Sequence, residues 1–221
     1  MGASLINIET NRLILSPLQQ QHWPLFLRLH TDPQIVALCF DVPPQDIIRQ
    51  KFAERLQPWT AQSSNWLGLV VADKTSGAEQ GVTGFVLKDG VAEVGYLFLP
   101  EFYGKGYAAE SLQGLIDWAS ATQQVNRYQA VVTAGNSASE KVLTKCGFVL
   151  KRIAPNAHNI GGKYFADHRG CSIFCVSLVT GRYERLSAPR SVSTAVTASD
   201  SSFAPGVSNA QMPARYRHKA A

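Results

Sequence analysis

Between residues 65 and 100 the chain carries three strand-like runs in succession, NWLGLVVAD (65–73), GVTGFVLKD (81–89) and AEVGYLFLP (92–100). Turn material separates them, KTSGAEQ in the first gap and the tight KDGVA in the second. Asp-Gly between apolar runs is a strong hairpin signal, so this stretch is expected to fold as an antiparallel meander. Before it, RLILSP (12–17) reads as a strand ended by Pro17. QHWPLFLRLH (21–30) and PQDIIRQKFAERLQPW (44–59) carry apolar residues at helical spacing; in the second, Ile47, Ile48, Phe52 and Leu56 share one face. After the meander come a helix over 106–124, a strand over 128–134 and a helix over 137–147 that closes on Gly147. The strands FVLKRIA (148–154) and CSIFCVSL (171–178) follow, joined by a polar, Gly-rich loop. The pattern predicts one mixed α/β domain over residues 1–178, in which a meander feeds a β–α–β–α–β half.

A chain of 221 residues with 45% hydrophobic and 10% aromatic content has ample material for a buried core. No run approaches 18 consecutive apolar residues, so no membrane span is expected. MGASLINIETNRL lacks the basic and continuous apolar regions of a secretory signal. Cys39, Cys146, Cys171 and Cys175 match neither a zinc spacing nor a redox motif. Free thiols in apolar text suit a cytoplasmic protein without a metal site.

The net charge of +5 is concentrated in the last stretch, where residues 179–221 hold six Lys and Arg against two Asp and Glu. The body is nearly neutral, which is not the footprint of a folded nucleic-acid face. A nucleic-acid contact is therefore expected only through the basic tail. That tail is dominated by Ser, Ala, Thr, Pro and Gly and is expected to be disordered.

The stretch EFYGKGYAAESL (101–112) joins the third run to the following helix. Gly104 and Gly106 allow a sharp turn and close approach of a ligand. The helix start then offers unpaired N–H groups to a phosphate. A P-loop would need Ser or Thr where Gly106 stands, and the third glycine of a dinucleotide fingerprint is replaced by Ala109. The short motif alone leaves open a phosphate cradle or a plain strand–turn–helix junction.

Taken with its surroundings, AEVGYLFLPEFYGKGYAAESL followed by NSASEKVLTKCGF resembles the GNAT family of N-acetyltransferases, most closely the RimJ/RimL-like branch. That family's pyrophosphate loop, (Gln/Arg)-x-x-Gly-x-(Gly/Ala), maps onto Tyr103 to Ala108, with Tyr103 departing from the usual first residue. Its second motif maps onto Asn136, Ser139, Gly147 and Phe148. ETNRLIL and GGKYFADH also read like this branch, so the likeness covers about residues 8–178. It implies a GNAT fold, a single domain with a central, mostly antiparallel splayed sheet flanked by helices, and acetyl-CoA as donor. By the same resemblance, backbone groups around Phe98 and Leu99 would bind the pantetheine arm. Residues Tyr103, Gly104, Lys105, Gly106, Tyr107 and Ala108 would hold the pyrophosphate, and Asn136 would support the pantetheine side. Lys141 and Lys145 would approach the nucleotide end or form a solvated helix face.

Direct acetyl transfer needs a neutral amine, which calls for a base, and a leaving thiolate, which calls for an acid. Many family members place a Tyr seven residues after the motif Asn; here that residue is Leu143, and the branch resemblance offers Ser139 as acid instead. Glu93 and His158 compete as base; Glu93 opens the splayed strand and His158 lies in the Gly-rich loop. Trp23, Phe40, Trp59 and Trp66 fall in segments over the acceptor groove, and Asp41 and Asp46 stand where a cationic amine would enter. The expected partner is an amine acceptor, a protein N-terminus or a small molecule, and the protein a monomer or homodimer. The rival reading is a catalytically silent acyl-CoA-binding domain.

Overall fold

The computed structural model of the chain describes residues 6–176 and 183–185. The meander forms as expected, with β3 (Leu67–Asp73), β4 (Glu79–Lys88) and β5 (Val91–Phe98) antiparallel in order. Asp89 and Gly90 both take positive φ, 51° and 71°, as a two-residue hairpin turn between right-twisted strands requires. Two strands precede it, β1 (Ile8–Glu9) and β2 (Leu13–Pro17), and three helices, α1 (Trp23–Thr31), α2 (Pro33–Val36) and α3 (Gln45–Arg55). Beyond it lie α4 (Tyr107–Gln123), β6 (Arg127–Thr133), α5 (Ser137–Lys145), β7 (Val149–Ile160) and β8 (Lys163–Val176), with β9 (Tyr183–Arg185) paired to β8. The spatial order is β1-β2-β3-β4-β5-β6-β8-β7, and all pairs but β5–β6 are antiparallel.

Side chains alternate between the faces of a strand, and the two cores follow from that period. Leu69 and Val71 of β3 join Phe85, Val94, Tyr96 and Phe98 beneath α4, whose Leu112, Leu115 and Ile116 are fully buried. Val70 and Val82, from the opposite face, meet Phe26 and Leu29 of α1 and Ile48 and Phe52 of α3. Helix α5 ends as its sequence indicated. Gly147 (φ 81°) donates to the Thr144 carbonyl, and Phe148 to that of Leu143, which together satisfy the last turn.

The structure corrects the sequence in two places. The polar segment after residue 154 is not a loop: β7 and β8 continue as a long hairpin that turns at Gly161–Gly162, placing His158 in a strand opposite Phe165. The segment after Thr31 holds the short helix α2, capped by Asp32, whose carboxylate accepts from the Gln34 N–H with Pro33 in the first turn. Of the segment expected to be disordered, Tyr183–Arg185 is described as strand; its other residues lie outside the described ones. Among the described residues no helix is long and apolar enough to cross a membrane.

Gly84 is where β3 and β4 approach most tightly. A Cβ there would lie 1.8 Å from the backbone oxygen of Leu67, a contact that neither strand can relieve without moving. Gly84→Ala is expected to cost about 3 kcal/mol of unfolding free energy, at the upper end for overpacking, read from the urea midpoint.

Candidate functional site

Strands β5 and β6 pair at only two positions, Ala92 with Tyr128 and Glu93 with Gln129. At that neck the Gln129 amide donates to the Glu93 carboxylate at 3.0 Å. Beyond it the strands part, and the gap opens into a cleft of about 600 Å³, within the range of small-ligand sites. Its walls are Ile35, Ala37, Leu38 and Cys39, Tyr96 and Phe98 of β5, the glycine turn, and the first turns of α4 and α5. Leu99 does not take part. Its N–H already donates to the Gln80 carbonyl at 2.9 Å, and its side chain is buried in the core beneath α1 and α3. Backbone groups alternate along a strand, so it is Tyr96 and Phe98 that present theirs to the gap.

The turn into α4 has the form its glycines require. Gly104 and Gly106 lie at φ 74° and 82°, and Gly106 occupies the N-cap position of α4. The free N–H groups of that helix start face the cleft, a ready anion site. Gly104, Gly106, Tyr107, Ala108 and the half-exposed Tyr103 all line it. The Tyr103 phenol is pushed up to about 12, chiefly by burial. Lys105 stands outside the lining, exposed, with its Nζ 5.4 Å from the Phe102 ring centroid. The helix start is fixed from behind. Burial tends to raise the Glu110 carboxyl, yet donors from Thr10 (2.6 Å) and Arg12 (2.7 Å) hold it below its ordinary range. Arg12 also lies over the Tyr107 ring, 4.4 Å from its centroid.

Across the cleft, Asn136 caps α5 by accepting from the Ser139 N–H at 3.1 Å. The Ser139 hydroxyl is buried and stands 2.7 Å from the Tyr96 hydroxyl, which also donates to the Ser139 carbonyl at 3.2 Å and so ties β5 to the first turn of α5. Burial raises the Tyr96 phenol well above its ordinary value, so the group is a proton-bearing donor throughout the working range. Leu143 is core, packed with Cys146 and Phe148. Lys141 and Lys145, both exposed, line the far end of the cleft.

The remaining candidates separate. Glu93 lines neither cavity, and the side chain of His158 lies outside the described ones. The Asp41 carboxylate accepts from the Gly161 N–H at 2.7 Å, so it ties the segment after α2 to the tip of the β7–β8 hairpin. Asp46 is exposed in the first turn of α3. Trp59 packs edge-on to Phe85, and Trp23 to Phe52. Phe40 and Trp66 instead line a second, smaller cavity of about 40 Å³ under α1 and α3, together with His30, Lys51 and Arg55. Tyr96 lines both cavities. Burial, with Arg55 and Lys51 nearby, brings His30 down to about 3, so its imidazole is neutral.

Sequence reasoning missed Tyr96, whose role depends on a partner 43 residues away, and the Ile35–Cys39 wall. The second had a usable signal in Thr31-Asp32-Pro33, an N-cap followed by proline.

The family model described as an acetyltransferase (GNAT) domain matches residues 12–149. The N-acetyltransferase p20 of Bacillus licheniformis is 26% identical over 146 residues, 64% of this chain and 81% of that protein. RimL, the ribosomal L7/L12 alpha-N-protein acetyltransferase solved in complex with coenzyme A, superposes with a TM-score of 0.66 at 20% identity, covering 76% of this chain and 98% of RimL. A GNAT-family acetyltransferase from Bacillus anthracis gives 0.64 at 17% identity, over 76% of this chain and 98% of that one.

Tyr96→Phe leaves the buried Ser139 hydroxyl without its partner and is expected to cost about 1–2 kcal/mol in urea unfolding. Ser139→Ala should cost a similar amount, and the double variant less than the sum, because one shared bond is lost.

Proposed function

The chain belongs to the acetyltransferase (GNAT) domain family, and on that footing we propose that it is an N-acetyltransferase that passes an acetyl group from acetyl-CoA directly to a primary amine. The observation that carries this reading is the parted β5–β6 pair opening onto a glycine turn at a helix start. Bound acetyl-CoA supplies an activated thioester. Every other requirement falls to the chain's own residues. The first-turn N–H groups of α4 and the Gly104–Gly106 backbone would hold the pyrophosphate, and Lys141 and Lys145 would meet the nucleotide end. Tyr96 and Phe98 would offer backbone groups to an extended arm lying in the gap, much as an added strand pairs with a sheet edge. An N–H there, aimed at the thioester carbonyl, would stabilise the charge that develops on its oxygen.

Ser139 is assigned as the acid toward the leaving thiolate. The Tyr96 hydroxyl has one proton, in reach of both the Ser139 carbonyl (3.2 Å) and Ser139 Oγ (2.7 Å); when it is shared with Oγ, the serine proton is left to point into the cleft. Tyr96 thus sets the serine rotamer. Glu93 is assigned a holding role, since its carboxylate is engaged by Gln129 at the neck. The base is assigned to His158, on the hairpin whose tip is tied to the acceptor side through Asp41 and Gly161. An imidazole with an ordinary pKa near 6.5 serves as base without further tuning, and an α-amine, near 8, is deprotonated more readily than a lysine.

Two outcomes test the reading. Gly106→Asp sets a carboxylate at the cradle in a backbone region that favours glycine, and should abolish the acetyl-CoA-induced thermal shift; an unchanged shift would remove the cradle assignment. In a thiol-release assay over peptides and small amines, Ser139→Ala and His158→Ala should each lower kcat by roughly 100-fold or more, and Glu93→Gln by far less. No turnover of any amine despite tight acetyl-CoA binding would leave the silent binding domain.

A further inference from the structure

Helix α5 brings Asn136 and Ser139 to the cleft on its first turn. The chain that leads into this turn does little to aim it. β6 ends at Thr133 and α5 begins at Ser137. The Asn136 N–H closes the link on the Thr133 carbonyl at 3.0 Å, yet Gly135 between them takes φ 92°, with nothing within 4 Å of where a Cβ would stand. A glycine in open space gives a link freedom and no direction. The far end of the helix is anchored by packing: Leu143 and Cys146 lie in the core, and Cys146 Sγ donates to the Ala109 carbonyl at 3.3 Å. The first turn relies on side chains from two strands.

On the β5 side the tie is the Tyr96 hydroxyl, at Ser139. On the other side of the gap it is His168 of β8, which stands in register with Val132 of β6 and Ile153 of β7. Directly opposed residues of antiparallel strands share a face. Val132 is buried in the core beneath α4, so His168 rises on the face that carries α5. There its Nδ1 lies 2.8 Å from a carboxylate oxygen of Glu140, the residue after Ser139. A carboxylate only accepts, so Nδ1 is the protonated nitrogen. The two side chains are 26% and 37% exposed, so the bond is largely covered. The first turn of α5 is thus slung across the parted strands, from Tyr96 of β5 to the His168 of the strand that holds β6.

We propose that His168 and Glu140 are positioning residues for acetyl transfer, a brace that fixes where the Ser139 hydroxyl stands relative to a thioester lying between β5 and β6. This rests on the acetyl-transfer reading and adds two residues to its machinery. A half-covered pair of this kind adds little to overall stability. A hydroxyl that must meet a leaving sulfur is far less tolerant, since a displacement of about 1 Å can cost roughly 100-fold in rate. The open glycine at 135 turns loss of the brace into such a displacement. Without His168 the turn is held from the β5 side alone and is free to swing.

The test follows two readouts in the full chain. In thiol-release assays with saturating acetyl-CoA, His168→Ala is expected to lower kcat at least tenfold and leave the KM for the amine nearly unchanged. In a Ser139→Ala background the same substitution should have almost no further effect, because the brace acts through the serine. The amide nitrogen of Asn falls near the position of Nδ1, and that of Gln near Nε2. His168→Asn should therefore recover most of the loss, and His168→Gln should not. Additive losses in the two backgrounds, or Asn and Gln variants of equal activity, overturn the assignment. Amide hydrogen exchange is the second readout and needs no acceptor. The Ser139 and Glu140 N–H groups, bonded to Asn136 at 3.1 and 3.0 Å, should exchange about tenfold faster in His168→Ala and recover in His168→Asn. Those of Cys146 and Phe148, at the far end, should not change. That pattern in a protein that turns over no amine keeps the brace and overturns acetyl transfer. Unchanged exchange at the first turn, or faster exchange at both ends alike, overturns the brace whatever the turnover.

Discussion

The early parting of β5 from β6 is the constraint on which the rest of the molecule depends. Two residue pairs join these strands, yet β5 runs on to Phe98 and β6 to Thr133. Backbone donors and acceptors laid open inside a sheet must find partners. The outer edges are secured first, β5 against β4 from Val91 to Phe98 and β6 against β8 from Arg127 to Thr133. Above the gap, the Tyr96 hydroxyl ties β5 to Ser139 on α5. On the β5 side what stays open, at Tyr96 and Phe98, lines the large cleft, so the same break that weakens the sheet creates a slot for a ligand with amide groups of its own.

The two faces of the break carry different chemistry. On one face, the starts of α4 and α5 and the exposed Lys141 and Lys145 surround an open cleft, where partial charges and solvated cations suit phosphates. On the other, Lys51 is withdrawn from water beneath α3, with the half-buried Arg55 beside it. A buried cation costs far more than a surface one, and it discriminates more sharply for the same reason: low local dielectric strengthens both attraction and repulsion. Tyr96 belongs to both faces, its ring in the core beneath α4 and its strand segment lining the smaller cavity. Substitutions there reach the donor and acceptor sides together.

Much of this was legible in the sequence, because much of it is local. Asp89-Gly90, the Gly104–Gly106 turn and the Gly147 stop each depend on backbone preferences within a few residues, and each forms where the sequence placed it. The β7–β8 hairpin was misread as a loop because its far half is polar. β7 is the last strand on its side of the sheet, and an edge strand with exposed residues shows no buried alternation. Leu99 and Asp41 were assigned ligand roles that the fold gives to other groups, since Gln80 and Gly161 lie far from them in sequence. The burial of Lys51 had a signal that its charge obscured: three residues after Ile48 and one before Phe52, it falls on the apolar face of α3.

The packing of α3 on the sheet bears on one of three glycines, Gly68, Gly84 and Gly95, that stand in register across the middle strands. Glycine in a strand interior weakens the sheet and offers no side chain to the core, so a row of three calls for a reason. At Gly84 the reason is the Leu67 carbonyl, which leaves no room for a Cβ. At Gly68 a Cβ would come within 2.7 Å of the Leu18 side chain and 3.3 Å of Arg55 Cδ. Removing the side chain from this part of the sheet lets the Arg55 stem lie flat, and it lets the guanidinium settle between Phe26 and Trp66 instead of extending to solvent. The sheet is thus thinned at Gly68, where the Arg55 stem packs against it.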